Sequence, residues 1–348
     1  MSRCAEQIVI TGAAAITAAG NGLPALLEAV AAERCCLSAV PDELSPVRQR
    51  LLWGKAEQFK AADFMPPLKA RKLDRGSQFT VATAGMALAD AALARNEFPA
   101  ERIGIALGCG FGGIANSAEF LGGYFKEGAG ALSPLLFPNT VANAPASNAS
   151  IEHGIKGPNI TFVQRFCSAE SAIMAACRFI EEGRADLMLA GGVDELYPLV
   201  LHGFKALGQL RSYADGFGEG CGLVVLERAG HARARGARIM AQIEAVSSVG
   251  LLLPERRSEG VTRLLGQRRS YARLVLSGAE QCAAPLLEQI DAATCLTPGR
   301  LVGRSLAMGG TALALLAAQI KPAEQGLVLA SSPEGPHYAL VVRGGCPD

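Results

Sequence analysis

The sequence predicts an α/β fold, and two observations carry the prediction. Short β-type runs recur along the chain, and each is followed by a glycine-rich turn and an Ala- and Leu-rich helical stretch. Strands that alternate with helices are typical of layered α/β architectures. The helical stretches around 172–176 and 313–318 are small and apolar nearly all round, so we expect them inside a layered core. The strand-like runs are 8–10, 103–107, 187–189, 223–226, 274–276 and 327–329.

Composition indicates a chain that can bury a large core. Half of the 348 residues are hydrophobic and 19% are charged, which suits one big domain or two fused halves. The net charge of +1, the single Trp and the five Tyr offer neither a basic surface nor a stacking array for bases. We therefore expect no binding of nucleic acid.

Cysteine usage and the uncharged runs indicate the compartment. The ten cysteines are scattered without C-x-x-C spacing, which favours reduced thiols in a cytoplasm over disulfides or zinc. The uncharged run 8–27 is interrupted by Gly12, Gly20 and Pro24, and the run 305–320 is shorter than the ~20 helical residues that span a bilayer. We expect a cytoplasmic protein with no membrane span, no metal and no cofactor.

A change of character at residues 250–273 predicts the boundary between two halves. This span holds Pro254 and arginines at 256, 257, 263, 268, 269 and 273. We place one half at 1–248 and a shortened second half at 249–348. The arginines favour a solvated surface loop, and the alternative is a docking surface for an acidic partner.

Four patterns in a fixed order make a family resemblance specific. The first is Ile-Val-Ile-Thr-Gly at 8–12, and the second is Gly-Cys-Gly-Phe-Gly-Gly at 108–113 with the segment 133–143 after it. The third is Gly-Pro-Asn at 157–159 with the segment 183–192, and the fourth is 215–222 with 226–227 and 235–237. In this order they resemble the β-ketoacyl-acyl carrier protein synthases, the thiolase-like condensing enzymes of fatty acid and polyketide synthesis.

The resemblance implies a thiolase-like fold. Two similar βαβαβ halves would stack as helix, sheet, helix, sheet and helix layers, with residues 166–180 as a buried central helix. The chain is several dozen residues shorter than a typical member, mainly after Phe204 and between 245 and 300.

The catalytic residue types of that family are absent from the matching positions. Its members use a cysteine at a helix N-terminus, two histidines and a lysine. Counted forward from Gly-Pro-Asn and backward from Gly183, the nucleophile position falls on Phe166, and Cys167 comes one residue late. By the same comparison, the two histidine positions fall on Ser277 and Arg304, and the lysine position falls on Gly299, with Arg300 beside it.

These replacements predict a subunit without chemistry of its own. Phe166 cannot be acylated, and Arg304 stays protonated near neutral pH. The family's C-terminal gating loop is also rewritten, at 331–337. The chain therefore resembles a chain length factor, the degenerate subunit that pairs with an active ketosynthase in a heterodimer. Such factors in aromatic polyketide synthesis carry Gln at this position, so the Phe favours the degenerate partner of bacterial aryl polyene synthesis instead.

The resemblance also implies a tunnel wall and a carrier. In family members, the segments that match Phe111 and Leu135-Leu136-Phe137 lie at the dimer interface beside the tunnel for the growing acyl chain. We predict that these side chains close the tunnel, and ordinary interface packing is the alternative. An acyl carrier protein is the acidic partner that Arg256, Arg257, Arg263, Arg268 and Arg269 would bind.

Two other functions stay open from the sequence. In one, Cys167 acts as an acyl carrier with His337 as its base, which would make the chain an acyltransferase or a ketosynthase. Against it stands the commoner fate of cysteine, a buried apolar thiol. In the other, the protein is a homodimeric acyl-binding scaffold that works without any ketosynthase.

Overall fold

The computed structural model describes residues 7–94, 97–210, 216–267, 269–333 and 335–345. Their strands are β1 (Ile8–Thr17), β2 (Gly20–Asn21), β3 (Ser38–Ala39), β4 (Leu52–Gly54), β5 (Ile103–Cys109), β6 (Asn159–Val163), β7 (Leu187–Asp194), β8 (Phe217–Gly218), β9 (Gly220–Arg228), β10 (Ala241–Val249), β11 (Ser270–Gly278), β12 (Asp291–Leu296), β13 (Gln325–Ser331) and β14 (His337–Gly344). Their α-helices are α1 (Leu23–Ala31), α2 (Pro67–Ala70), α3 (Arg75–Asp90), α4 (Ile114–Glu127), α5 (Ala144–His153), α6 (Ser168–Glu181), α7 (Pro198–Ala206), α8 (Ala229–Ala234), α9 (Arg257–Leu265), α10 (Glu280–Leu287), α11 (Gly299–Val302) and α12 (Gly309–Gln319). The predicted α/β class is confirmed, and all six strand-like runs lie within strands.

The strands form two sets with the same internal order. From one edge of the large sheet to the other, the order is β12, β11, β13, β14, β10, β1, β9, β7, β5 and β6. In the first set β5 runs parallel to β6 and β7, while β9 and β1 continue antiparallel. The second set repeats this pattern with β11, β12, β13, β14 and β10. The two sets join where β1 pairs with β10 over three residues, Ile8–Ile10.

Helices cover both faces of each set, which gives the five predicted layers. The apolar helices α6 and α12 contact each other in the middle, and α12 touches β7 and β9 of one set and β11 and β13 of the other. Helices α3 and α5 cover the outer face of the first set, and α9 and α10 cover that of the second. Separate apolar clusters fill the central layer and the two outer interfaces. The central helices therefore bring residues of both halves to one place.

Some details differ from the sequence predictions. Helix α6 begins at Ser168, two residues later than expected, because Cys167 has a left-handed backbone with φ of 61°. The boundary at 248/249 stays a prediction, and it falls at the end of β10. Arg268 of the arginine group lies outside the described residues. None of the helices in the described ranges is long and apolar enough to cross a membrane.

Candidate functional site

The loop between β6 and α6 holds the position where the family nucleophile would stand. Phe166 and Cys167 are 2% and 1% exposed and pack into the central apolar cluster. Arg165 and Cys167 both have φ of 61°, a left-handed conformation that side-chain-bearing residues rarely adopt. The hydroxyl of Ser168 donates to the carbonyl of Arg165 at 2.7 Å and accepts from the backbone N–H of Gln164 at 3.1 Å. These contacts hold the turn that directs Phe166 into the core.

A chain of hydrogen bonds ties this loop to the second half of the protein. The side-chain amide of Gln164 donates to the carbonyl of Cys167 at 3.0 Å and to the hydroxyl of Ser171 at 2.5 Å. The hydroxyl of Ser171 lies 2.6 Å from that of Tyr338 on β14. Both hydroxyls are buried, so the chain helps to fix the loop from across the layer boundary.

Ser277, at the predicted first histidine position, is part of a buried polar contact between the halves. Its hydroxyl donates to Oε1 of Glu170 on α6 at 2.7 Å. Burial raises the pKa of the Glu170 carboxyl, which is 1% exposed. The Glu170 carboxyl also lies against Gly309 at the start of α12, so closely that a Cβ there would overlap it. The carboxyl group of Glu170 therefore packs between the hydroxyl of Ser277 and the backbone at Gly309. Glu170 is not among the site residues predicted from the sequence.

Arg304 and Gly299, at the predicted second histidine and lysine positions, pack against each other. Arg304 is 5% exposed, and its Nη2 lies 2.9 Å from Oε1 of Glu280. The other carboxylate oxygen of Glu280 lies 3.1 Å from the guanidinium of exposed Arg300. A Cβ on Gly299 would lie 2.8 Å from Cγ of Arg304, so Arg304 lies against the place where a side chain at 299 would begin. An ion-paired arginine thus occupies this part of the site.

Cys167 and His337, the alternative nucleophile and its base, lie in neighbouring segments of the fold. The thiol of Cys167 is 3.6 Å from the carbonyl oxygen of Pro336, the residue before His337. Nδ1 of His337 is 3.0 Å from the hydroxyl of Ser331, and burial lowers the pKa of the imidazole, which favours its neutral form. The role of this pair as nucleophile and base stays a prediction.

Two consecutive carboxyl groups at the end of β7 hold the loop that carries Phe111. Oδ1 of Asp194 accepts the backbone N–H of Gly110 at 2.7 Å, and Oε1 of Glu195 accepts that of Ala115 at 2.8 Å. Burial raises the pKa of both carboxyls, that of Glu195 to about 7. This pair is not among the residues predicted from the sequence, although an Asp-Glu dipeptide directly after a buried strand is a signal that could have indicated it.

The predicted tunnel residues lie at or near the surface on one side of the first half. Phe111 is 39% exposed, Phe137 is 58% exposed and Leu135 is 86% exposed, while Leu136 is half-buried. The ring of Phe111 packs edge-on against that of buried Phe204, with centroids 6.0 Å apart. Phe111 is thus anchored on its inner side and free on its outer side.

The sheet edge at β6 is open, and exposed apolar side chains lie on β6 and on α5, which packs against it. Strand β6 pairs with β5, and its other edge pairs with no strand of the described ranges. Val163 at the end of β6 is 51% exposed, Ile151 on α5 is 75% exposed and Phe125 on α4 is 80% exposed. An unguarded strand edge flanked by exposed apolar residues is typical of a surface that a partner covers.

The arginine group lies on and beside α9, on the second half. Arg256, Arg257 and Arg263 are exposed, but Glu255 and Glu259 alternate with them. Arg269 is half-buried, and its guanidinium donates to Gln289 at 2.8 Å and to Thr262 at 3.2 Å. The surface therefore carries mixed charge with an excess of arginine.

Comparison with known proteins identifies the sequence family. The family described as "Beta-ketoacyl synthase, N-terminal domain" matches residues 5–232. The 3-oxoacyl-[acyl-carrier-protein] synthase 2 of Vibrio cholerae serotype O1 is 32% identical over 255 residues, which are 68% of this chain and 62% of that protein. The chain thus spans about three fifths of the length of the curated relatives it matches.

Two solved structures share the fold. One is described as the ishigamide ketosynthase/chain length factor, and it aligns with a TM-score of 0.81 and 22% identity over 97% of this chain and 99% of that one. The other is a type II polyketide acyl-carrier protein in complex with its ketosynthase, with a TM-score of 0.79 and 19% identity over 98% and 99% of the two chains. These structures show the expected thiolase-like layering.

Proposed function

This chain belongs to the β-ketoacyl synthase family, and we propose that it is a non-catalytic, chain-length-factor-like partner of an active β-ketoacyl-acyl carrier protein synthase. One observation carries the proposal. Motif spacing matches the four positions where such a synthase needs reactive groups to Phe166, Ser277, Gly299 and Arg304, and none of these is the Cys, His or Lys that condensation uses. Neighbouring side chains pack against the residues at these positions and hydrogen-bond or ion-pair with them. The interior of the site is therefore filled by a consistent set of contacts.

The repacking supports a loss of condensation chemistry. Phe166 offers no atom that can form a thioester, and Arg304, whose guanidinium is paired with Glu280 at 2.9 Å, is not the imidazole that condensation uses. Glu170 extends to Ser277 from the central helix, where a catalytic imidazole would need room. A folded chain that keeps its scaffold without these groups is useful as a surface.

The open edge of β6 supports a second subunit as the occupant of that surface. Pairing along this edge would extend the sheet across the interface, and the exposed apolar residues Val163, Ile151 and Phe125 would be buried. Stable interfaces of this obligate kind bury over ~2,000 Å². The ketosynthase/chain length factor structure that shares this fold favours an active ketosynthase as the partner.

Within such a complex, Phe111 and Phe137 would limit the length of the acyl chain. Both rings are partly exposed on the side where the partner would pack. Forcing another CH₂ against a packed wall costs roughly 1–3 kcal/mol, which favours release over extension by about tenfold or more. Leu135 and Leu136 would complete this wall.

The remaining proposals concern the carrier and the pathway. An acyl carrier protein is a suitable acidic partner for exposed Arg256, Arg257 and Arg263, with Arg269 at the margin. The Phe at position 166 favours aryl polyene synthesis over aromatic polyketide synthesis, in a cytoplasmic type II system. Neutralising all three exposed arginines should weaken carrier binding, and should do so less at high salt.

Co-expression tests the partnership. The chain should purify in a 1:1 complex with a ketosynthase that has an intact Cys-His-His set, as measured by size exclusion and native mass. Mutation of the ketosynthase's own nucleophile to alanine is the matched control and should leave the complex intact. A stable monomer or homodimer of this chain in the presence of such ketosynthases would contradict the proposal.

A further inference from the structure

The backbone between β5 and α4 is fixed at two points on either side of Phe111. Gly110 precedes Phe111 and donates to Asp194, and Ala115 follows it in the first turn of α4 and donates to Glu195. Asp194 and Glu195 are adjacent in the chain, so both hydrogen bonds attach the loop to the same end of β7. The reach of the Phe111 ring toward a partner is consequently set by β7.

The loop itself has little room to move while these two bonds persist. A Cβ on Gly110 would lie 2.9 Å from Oδ1 of Asp194, and Gly112 has φ of 75°. Gly113 is so close to the carbonyl of Asn139 that no Cβ fits there. The glycines thus permit a close approach of the loop to its neighbours, and the carboxyl groups hold it there.

The two carboxyl groups differ in what else they hold. Asp194 also accepts the hydroxyl of Ser305 at 2.7 Å and the N–H of Ala307 at 2.8 Å, so it joins the two halves as well. Glu195 is buried, and its hydrogen bond to Ala115 serves the start of α4. Asp74 and Glu219 are the charged groups that raise its pKa, in addition to burial, while the N–H groups of Ala115 and Gly76 oppose them.

We propose that Glu195 is a positioning residue that fixes how far Phe111 reaches toward the partner subunit and thereby sets the length of the acyl product. This inference rests on the proposed function, because it needs a tunnel that Phe111 closes. The hydrogen bond that Glu195 accepts from Ala115 lies in the first turn of α4, where backbone N–H groups have no partner within the helix. Without it, the loop can move with the first turn of α4, and the ring can withdraw.

Two near-isosteric variants distinguish the loss of the hydrogen-bond acceptor at position 195 from a change in side-chain volume. Glu195→Met fills the same space without an acceptor, whereas Glu195→Gln keeps a carbonyl oxygen for Ala115. In the complex with the active ketosynthase, the Met variant should make products longer by at least one extension unit, and the Gln variant should keep the wild-type length. Glu127→Ala, at the exposed far end of α4, is the matched control and should change nothing.

Amide hydrogen exchange of the chain alone gives a readout that does not need the partner. Exchange at residues 110–117 should rise about tenfold in Glu195→Met, which corresponds to the loss of one hydrogen bond, and should stay near wild type in Glu195→Gln. Unchanged exchange in the Met variant would overturn the inference. Equal lengthening of products by Met and Gln would also overturn it, because the acceptor would then not hold the loop.

Phe111→Ala distinguishes failure of this inference from failure of the proposed function. If Phe111→Ala lengthens the products and Glu195→Met does not, the positioning role is wrong and the tunnel wall stands. If neither variant changes product length in an intact complex, Phe111 does not close a tunnel, and both proposals about length are wrong.

Discussion

Gly299 and Arg304 fit each other: a Cβ at position 299 would lie 2.8 Å from Cγ of Arg304, which is tighter than normal packing allows. Gly299, at the position predicted to match the family's lysine, thus leaves the space that the Arg304 side chain occupies. Glu280 pairs with Arg304 at 2.9 Å and completes the set. The effects of replacing Gly299 and of replacing Arg304 on the free energy of unfolding should therefore be strongly coupled.

A double-mutant cycle measures that coupling. Gly299→Ala should destabilise the protein by about 1–3 kcal/mol, because the new methyl group overlaps the Arg304 side chain. In an Arg304→Ala background the same change should cost less than about 0.5 kcal/mol. Denaturant unfolding gives both values. Gly203→Ala, in a helix with open space around the glycine, is the control and should not destabilise; additive costs at 299 and 304 would contradict the fit.

The hydroxyl of Tyr338 should matter for the loop before α6. Tyr338→Phe removes the partner of Ser171 at 2.6 Å but keeps the ring in place. We expect a loss of about 1–2 kcal/mol in the free energy of unfolding, together with faster amide exchange at 164–168. Tyr124→Phe, at an exposed position, is the control. Unchanged exchange at the loop would show that the hydrogen-bond chain does not fix it.

Glu195 should give a pH dependence of stability with a defined sign. Its pKa is about 7 when folded, against 4.5 ordinarily, so the folded state binds the proton more tightly. The stabilisation is complete below pH 4.5 and is lost as pH rises through 7, by about 3 kcal/mol in all. The Glu195→Gln variant has no carboxyl group at this position to bind a proton in this pH range. Its stability relative to wild type should rise across this range in denaturant melts, and a flat difference would contradict a buried, proton-binding carboxyl.

The apolar surface beside β6 should control association with the partner. Val163→Asp places a charge at the open strand edge, and burial of that charge should weaken the complex by at least tenfold in dissociation constant. Leu251→Asp is the matched control, because Leu251 is also exposed, at 62%, but lies beyond β10 on the second half. Titration calorimetry or light scattering provides the measurement. Equal effects of the two changes would move the interface elsewhere.

The fold could be predicted from the sequence because its buried strands are short, continuous apolar runs, a pattern typical of strands inside a layered core. Ile103 to Leu107 and Leu327 to Leu329 lie within β5 and β13 as predicted. Strand β10 has a mixed pattern of exposure and was not predicted, since half-covered strands lack that signal. The left-handed turn at Cys167, which delays α6, is also invisible in residue spacing.

The site was accessible only as a set of missing residues. Motif counting predicts Phe166, Ser277, Gly299 and Arg304 as the replaced positions, but spacing cannot reveal which neighbours pack against them. Glu170 meets Ser277 across 107 positions in the chain, and Glu195 meets Ala115 across 80. Such pairs depend on how α6 and β11 both pack against α12, and on how β7 packs beside β5 and the loop after it, which follows from tertiary structure alone.

The most direct test of the central claim is acylation of the separate and assembled subunits. Each is incubated with labelled acyl- and malonyl-acyl carrier protein, and intact mass locates the acyl group while extraction measures β-ketoacyl product. We expect no adduct and no product with this chain alone. In the complex, an adduct should form on the ketosynthase only and should be unaffected by Cys167→Ala in this chain. A stable acyl adduct on this chain that Cys167→Ala abolishes would contradict a non-catalytic role and support the thiol as a carrier.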